Sequence, residues 1–192
     1  MKTPAVFLDR DGTINEDVGY PSRIEEIRIY PHAYEAVRKI KEAGFRAVVV
    51  TNQSGIGRGY LTEEDLAAIH AYIAGAFEAR GARIDAFYYC PHYELSSLAG
   101  YGGACECRKP EPGLGLRAAA DLGLDLARSY MVGDKIEDIA FGRAIGAVPV
   151  LVRTGYGPAS ELRLRGTADA PAAVADDLLA AVDWILARGP RP

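Results

Sequence analysis

Cysteine is scarce in this sequence, and long apolar runs and an excess of positive charge are missing. Only three cysteines occur in 192 residues, an odd number that disfavours a disulfide framework. No apolar stretch approaches the ~20 residues that a membrane span needs. The opening MKTPAVFLDRDG reaches charge too early to hold the apolar region of a secretory leader. Lys and Arg total 22 against 26 Asp and Glu, for a formal net charge of −4. That balance argues against a nucleic-acid footprint or an anionic membrane surface as partner. There is no internal repeat, no low-complexity tract and no evident linker. These absences lead us to expect a cytoplasmic protein and a single domain spanning 1–192. With 49% apolar and 25% charged residues, the composition is that of a folded globular chain.

What is present is an alternation of short apolar runs with helical periods. Ala5-Val6-Phe7-Leu8 stops at Asp9, Arg46-Ala47-Val48-Val49-Val50 at Thr51, Ala86-Phe87-Tyr88-Tyr89 at Cys90, and Tyr130-Met131-Val132 at Gly133-Asp134; Val148–Val152 is a fifth run. Runs without polar alternation predict strands buried on both faces of a parallel sheet. Pro149, which lacks an N–H, predicts an edge position for the fifth. Helices are expected over Ala33–Ala43, from a capping-box start at Thr62-Glu63-Glu64-Asp65 to Gly81, over Leu114–Leu122, over Ile136–Ile145, and over Ala172–Ala187. The expected fold is a three-layer α/β domain with a doubly wound parallel sheet. Cys90 to Pro112 has neither period, and a loop that long in a compact domain needs its own reason.

In such a sheet, ligands bind beyond the carboxyl ends of the strands. There the first strand delivers Asp9, Asp11 and Gly12, the second Thr51, Asn52, Gln53 and Ser54, and the fourth Asp134 and Lys135. Arg108 and Lys109 precede a helix. Carboxylates suit Mg²⁺, which binds one or two of them together with substrate phosphate. A hydroxyl, backbone N–H groups and a lysine suit the phosphoryl oxygens as charge builds. Singly, each feature has a plain structural reading: Asp9 as a turn residue, Thr51-Asn52 as a helix cap, Lys109 as a surface charge, Asp138 as a cap or a supporting group outside the metal site.

Together, DRDGT (Asp9 to Thr13), VVVTNQSG (Val48 to Gly55), Lys109 and GDKIED (Gly133 to Asp138) resemble, in order, the four motifs of the haloacid dehalogenase (HAD) superfamily. FLDRDGTIN (Phe7 to Asn15), DVGY (Asp17 to Tyr20), TNQSGIGRG (Thr51 to Gly59) and CRKPEPG (Cys107 to Gly113) further resemble its heptose bisphosphate phosphatases, a group close to the histidinol-phosphate phosphatases. The resemblance implies Asp9 as the nucleophile that becomes an aspartyl-phosphate, and Asp11 as the acid and then the base. It implies Mg²⁺ at the Asp9 side chain, the Asp11 carbonyl and Asp134, with Thr51 and Lys109 steadying the phosphoryl group. Asp17, Val18, Gly19, Tyr20, Asn52, Gln53, Ser54, Arg108 and Lys135 would bind the substrate, a small sugar bisphosphate. A planar guanidinium at Arg108 suits bidentate phosphate binding.

Cys90-Pro91-His92 and Cys105-Glu106-Cys107 form CxH…CxC, four donors that fit a closed structural Zn²⁺ site. Three reduced cysteines and one ordinary histidine are the alternative. Ligation would order the segment 90–107, which has little apolar content, and the resemblance implies zinc as well. The intervals between motifs are too short for a large cap domain. The mouth is therefore expected to be open, with the zinc loop and Asp17–Tyr20 as its lids. Three other functions stay open: a histidinol-phosphate phosphatase, a non-catalytic zinc-stabilised binding module, and a nucleic-acid 3′-phosphatase, which the acidic balance disfavours. No exposed apolar repeat stands out, so a monomer is expected.

Overall fold

The computed structural model of the protein describes residues 2–188; Met1 and residues 189–192 of the expected 1–192 domain lie outside the described residues. Six parallel strands form one sheet in the order β3-β2-β1-β4-β5-β6. They are β1 (Ala5–Leu8), β2 (Arg46–Asn52), β3 (Ala86–Cys90), β4 (Tyr130–Gly133), β5 (Val148–Val152) and β6 (Ala173–Ala175). The helices are α1 (Pro31–Glu42), α2 (Glu63–Glu78), α3 (Gly113–Leu122), α4 (Ile136–Ala144), α5 (Gly157–Leu164) and α6 (Leu178–Arg188).

Alternation along the strands divides the core into two layers. Val6 and Leu8 of β1, with Val49 of β2 and Val132 of β4, pack with Val37 of α1, Ile73 of α2 and Val182 of α6. Ala5 and Phe7, with Val50 and Met131, pack on the other face with Leu114 of α3 and Phe141 of α4. Because strands β1, β2, β4 and β5 are covered on both faces, they read as unbroken apolar runs. Strand β3 departs from this: it is the sheet edge, and Ala86 to Tyr89 are only half-buried.

The sequence-based helix boundaries hold to within a few residues. The Thr62 capping box forms as expected, with the Asp65 N–H donating to Thr62 Oγ1 at 3.1 Å and the Thr62 N–H to Asp65 Oδ2 at 2.8 Å. The C-terminal part departs in three ways. Pro149 lies in β5, which β4 and β6 flank, so it is not on an edge. Its carbonyl accepts from the Ala172 N–H at 2.9 Å, so its missing N–H faces the side where β6 has not yet begun. The expected helix over Ala172–Ala187 divides: Ala173–Ala175 pair with Val150–Val152 as a strand. Only after Asp177, whose Oδ1 accepts from the Ala180 N–H at 2.9 Å, does α6 begin. Pairing with β5 outweighs the helical preference of alanine. Helix α5 carried no expectation, because its Leu162 is exposed and the segment has no clear apolar period.

The strand order reverses at β1 and β4, where the first crossovers diverge to opposite sides. The carboxyl ends of β1, β2 and β4 therefore open onto one crevice. No helix among the described residues is long and apolar enough to cross a membrane.

His70 of α2 is buried and stacked on Phe87 at 4.6 Å, with no partner for Nε2. Burial, helped by the Arg10 charge, lowers its pKa from 6.5 to about 3. A histidine with a depressed native pKa contributes stability above its unfolded value that is lost as pH falls. Replacing it (His70→Leu) is expected to give a variant that gains thermal stability relative to the parent as pH is lowered from about 6.5 towards 4. Parallel Tm-versus-pH curves for the two proteins would contradict this reading.

Candidate active site

Lys109 is the hub of the crevice. Its ammonium donates to Asp9 Oδ1 at 2.7 Å, to Asp138 Oδ1 at 2.6 Å and to the Val50 carbonyl at 2.8 Å. All three donors are satisfied, and the side chain is almost wholly buried. Burial disfavours the ammonium, but Asp138 and Asp9 outweigh burial and raise its pKa. Asn52 aims this lysine: its Nδ2 donates to the Lys109 carbonyl and its Oδ1 accepts the Lys109 N–H, both at 3.0 Å. Both ends of the Asn52 amide are thus used on the backbone of Lys109.

Three carboxylates crowd this lysine. Asp9, Asp134 and Asp138 each place an oxygen within 4.8 Å of the others, and all three are buried. Burial pushes Asp9 up to about 6 against the pull of Lys109. Burial, then the Asp9 and Asp138 charges, push Asp134 up to about 8. Asp134 Oδ2 accepts the Tyr156 N–H at 2.7 Å, while buried Oδ1 has no partner. The backbone closes tightly around Asp134. Gly12 (φ +85°) and Gly155 (φ +54°) each lie where a Cβ would stand 2.3 Å from Asp134 Oδ2, so only glycine fits either turn. Asp138 Oδ2 also accepts the Lys135 N–H at 2.9 Å, capping α4. Asp138 therefore caps its helix and also holds Lys109.

Asp11 is clamped separately. Fully buried Arg10 donates to Asp11 through Nε at 3.0 Å and through Nη2 at 2.9 Å and 2.7 Å. Asn15 Nδ2 and Gln53 Nε2 each donate at 2.9 Å. Burial alone would raise the Asp11 pKa, but Arg10 and these hydrogen bonds outweigh it and hold the carboxyl below the usual range. Gln53 Nε2 also donates to Thr51 Oγ1 at 2.8 Å, so Gln53 links the hydroxyl to the Asp11 clamp. Buried Ser54 lies beside them in the loop after β2.

At the rim, Lys135 Nζ pairs with Asp17 Oδ2 at 2.8 Å and lies over the Tyr156 ring. Burial would lower its pKa, but Asp9, Asp134 and Asp17 raise it. The Gly19 N–H donates to Asp17 Oδ1 at 3.0 Å, and Val18 and Tyr20 are exposed. Arg108 Nη1 donates to the His92 carbonyl at 3.3 Å, which ties it to the cysteine loop. Arg10 and Asn15 carried no expectation from the sequence. An arginine between two strand-end aspartates was the available sign for Arg10, since a cation there must pair with one of them.

Cys90, His92, Cys105 and Cys107 converge with donor atoms within 4.8 Å of one another. Neighbouring separations are 3.5 Å (Cys90 Sγ to His92 Nδ1), 3.6 Å (Cys90 to Cys105), 3.1 Å (Cys90 to Cys107) and 3.1 Å (His92 Nδ1 to Cys107). A tetrahedral Zn²⁺ with ~2.3 Å Zn–S bonds puts its ligands roughly 3.7 Å apart, so the cluster is compatible with zinc in a slightly expanded form.

Sheet order and a carboxylate-lined switch point define a HAD-like hydrolase. The HAD-hydrolase-like family model matches residues 106–181. A D-glycero-beta-D-manno-heptose-1,7-bisphosphate 7-phosphatase from Yersinia pestis is 47% identical over 157 residues, covering 81% of this chain and 83% of that protein. A D-glycero-D-manno-heptose-1,7-bisphosphate 7-phosphatase from Thermosynechococcus vestitus is 42% identical over 192 residues, covering 96% of each. Among solved structures, the D,D-heptose 1,7-bisphosphate phosphatase of B. bronchiseptica complexed with magnesium and phosphate has a TM-score of 0.85 at 30% identity, covering 97% of this chain and 99% of that one. The chain belongs to the heptose-1,7-bisphosphate 7-phosphatase family of HAD-like hydrolases. It is a phosphoric monoester hydrolase.

Asp9 and Asp134, crowded with Asp138 around one lysine, have raised pKa values, the mark of carboxylates held at a cost to the fold. Replacing Asp134 by its amide (Asp134→Asn) is expected to raise the Tm of metal-free protein by a few degrees, on the order of 2–4 °C per kcal/mol of relieved repulsion. A lower Tm in the variant would contradict the reading.

Proposed function

We propose that this phosphatase removes the C7 phosphate of D-glycero-D-manno-heptose 1,7-bisphosphate and leaves heptose 1-phosphate, through an aspartyl-phosphate on Asp9. The observation that carries the reading is the match over 96% of both chains to a relative of that name, joined to a crevice whose residues fit the chemistry.

Asp9 Oδ1 is held by Lys109. One oxygen of the Asp9 carboxylate is the atom that attacks phosphorus. Lys109 keeps the carboxyl ionised and faces the equatorial phosphoryl oxygens, as does the Thr51 hydroxyl. Asp11 serves both halves of the reaction. Ionised beside Arg10, it takes the proton from the water that cleaves the aspartyl-phosphate. To give a proton to the leaving sugar oxygen it must first hold one, which requires the substrate to loosen the Arg10 contact. Arg108, Lys135, Ser54, Gln53, Asn52 and the Asp17–Tyr20 loop shape the sugar side, through direct contact or by holding those that touch it.

The residues fit a divalent cation. Two raised carboxylates, the unpartnered Asp134 Oδ1 and a glycine cradle that leaves room only for that carboxylate describe a site short of positive charge. The Asp9 side chain, the Asp11 carbonyl and Asp134 would hold Mg²⁺, which would offset phosphoryl charge. Zn²⁺ at Cys90, His92, Cys105 and Cys107 would be structural and would set the direction of Arg108 and Lys109, which follow directly. The product keeps its anomeric phosphate, as nucleotide activation requires, which places the enzyme in supply of activated heptose for cell-surface glycans such as lipopolysaccharide core or S-layer. We place it in the cytoplasm, as a single-domain monomer.

Purified enzyme with Mg²⁺ should release phosphate from the heptose bisphosphate in preference to histidinol phosphate; the reverse preference would overturn the substrate assignment. Asp9→Asn should lower release by about three orders of magnitude or more, and activity near the parent level would mean a different nucleophile. Elemental analysis should give about one zinc per chain, reduced in Cys105→Ser; a gently purified parent without zinc would refute the structural site.

A further inference from the structure

Arg58 has been given no part in the reaction, although it lies inside the Thr51–Gly59 loop that closes the carboxyl end of β2. Its guanidinium is stacked over the Tyr93 ring, with Cζ 3.6 Å from the centroid, and lies 5.6 Å from the Tyr20 ring. Tyr20 in turn packs on Tyr60 at 5.0 Å. Tyr20 belongs to the loop whose Asp17 pairs with Lys135 at the rim, and Tyr93 belongs to the cysteine loop. The three loops are pressed together: a Cβ on Gly57 would stand 2.7 Å from the Tyr93 N–H nitrogen, and one on Gly55 would stand 2.4 Å from Leu61 and 3.0 Å from Tyr20. Arg58 is thus fixed at the junction of the rim loops.

What it lacks is an anion. No carboxylate pairs with Arg58 among the described residues, and its buried Nε has no hydrogen-bond partner. Stacking uses the face of a guanidinium and leaves its edge, a fork of donors, for a planar or tetrahedral oxyanion. A buried Nε–H without an acceptor is costly unless something supplies one. Of the other rim cations, Lys135 is paired with Asp17, and Arg108 gives one N–H to the His92 carbonyl and keeps the rest of its fork for the sugar side. A tie between loops would be met equally by an arginine paired to a carboxylate, and none is provided here.

We propose that Arg58, held between Tyr93 and Tyr20, binds the second phosphate of a bisphosphorylated sugar and so sets the preference for two phosphates over one. The proposal rests on the substrate reading above. Tyr93 is a positioning residue in this account: through it, the order of the cysteine loop reaches substrate choice.

The test compares kcat and KM for heptose 1,7-bisphosphate and heptose 7-phosphate in the parent enzyme, Arg58→Ala, Arg58→Lys, Tyr93→Phe and Tyr93→Ala, each checked for Tm and zinc content. The preference of the parent for the bisphosphate, as a ratio of kcat/KM values, is expected to fall roughly tenfold or more in Arg58→Ala. The fall should come through KM for the bisphosphate, with kcat little changed. Arg58→Lys should recover part of the preference, Tyr93→Phe nearly all of it, and Tyr93→Ala little. An undiminished ratio in Arg58→Ala, or equal losses on both substrates, would overturn the role of Arg58 and leave the substrate reading standing. A parent enzyme with no preference for the bisphosphate would remove the substrate reading, and this proposal with it.

Discussion

One ammonium group holds the crevice together. Lys109 Nζ lies between Asp9, Asp138 and the Val50 carbonyl, out of contact with water. Removing one partner of such a buried set typically costs about 3–5 kcal/mol, because the remaining charges are left unpaired. Asp134 stands in the same cluster with one oxygen unpartnered and its pKa raised, so the three carboxylates are not all ionised together without further positive charge. A site that is short of one or two positive charges when empty is well prepared for a phosphate that arrives with a cation. The strain on the empty fold and the affinity for the loaded state have the same origin.

The sheet is what makes this crowding possible. β1 and β4 are neighbours whose connections leave in opposite directions, so Asp9 and Asp134 come from adjacent strand ends with no covering element between them. Lys109 reaches the same point from the segment before α3, held there by Asn52 at the end of β2. Arg10 does for Asp11 what Lys109 does for Asp9, but more strongly and with nearly all lone pairs used. Two aspartates two residues apart are thereby given opposite tendencies: one raised towards neutrality, the other lowered. The lowered value suits Asp11 as the base that activates water in the second half of the reaction, while Lys109 favours the ionised form of Asp9 for attack.

Much of this was legible in the sequence, because unbroken apolar runs and strand-end carboxylates report burial and sheet direction without tertiary information. The five apolar runs and the Thr62 capping box appear where expected. Failures occurred where a tertiary partner decided the outcome. Ala173–Ala175 became a strand only because β5 was beside it, and Pro149 was tolerated inside the sheet because β6 starts one residue too late to need its N–H. Within the site, the polar residues at strand ends were readable one by one, but their pairings were not. That Arg10 turns inward to Asp11, that Asp138 reaches Lys109, and that Asn52 grips the Lys109 backbone are consequences of loop geometry that spacing does not encode.

The stereochemical course at phosphorus tests the role of Asp9 most directly. Hydrolysis of a C7 phosphorothioate made chiral with oxygen isotopes, in water carrying the remaining isotope, would proceed through two in-line displacements if the carboxylate beside Lys109 takes the thiophosphoryl group. Retention of configuration in the released thiophosphate is the expected result. Inversion, the outcome of a single attack by water, would contradict the account.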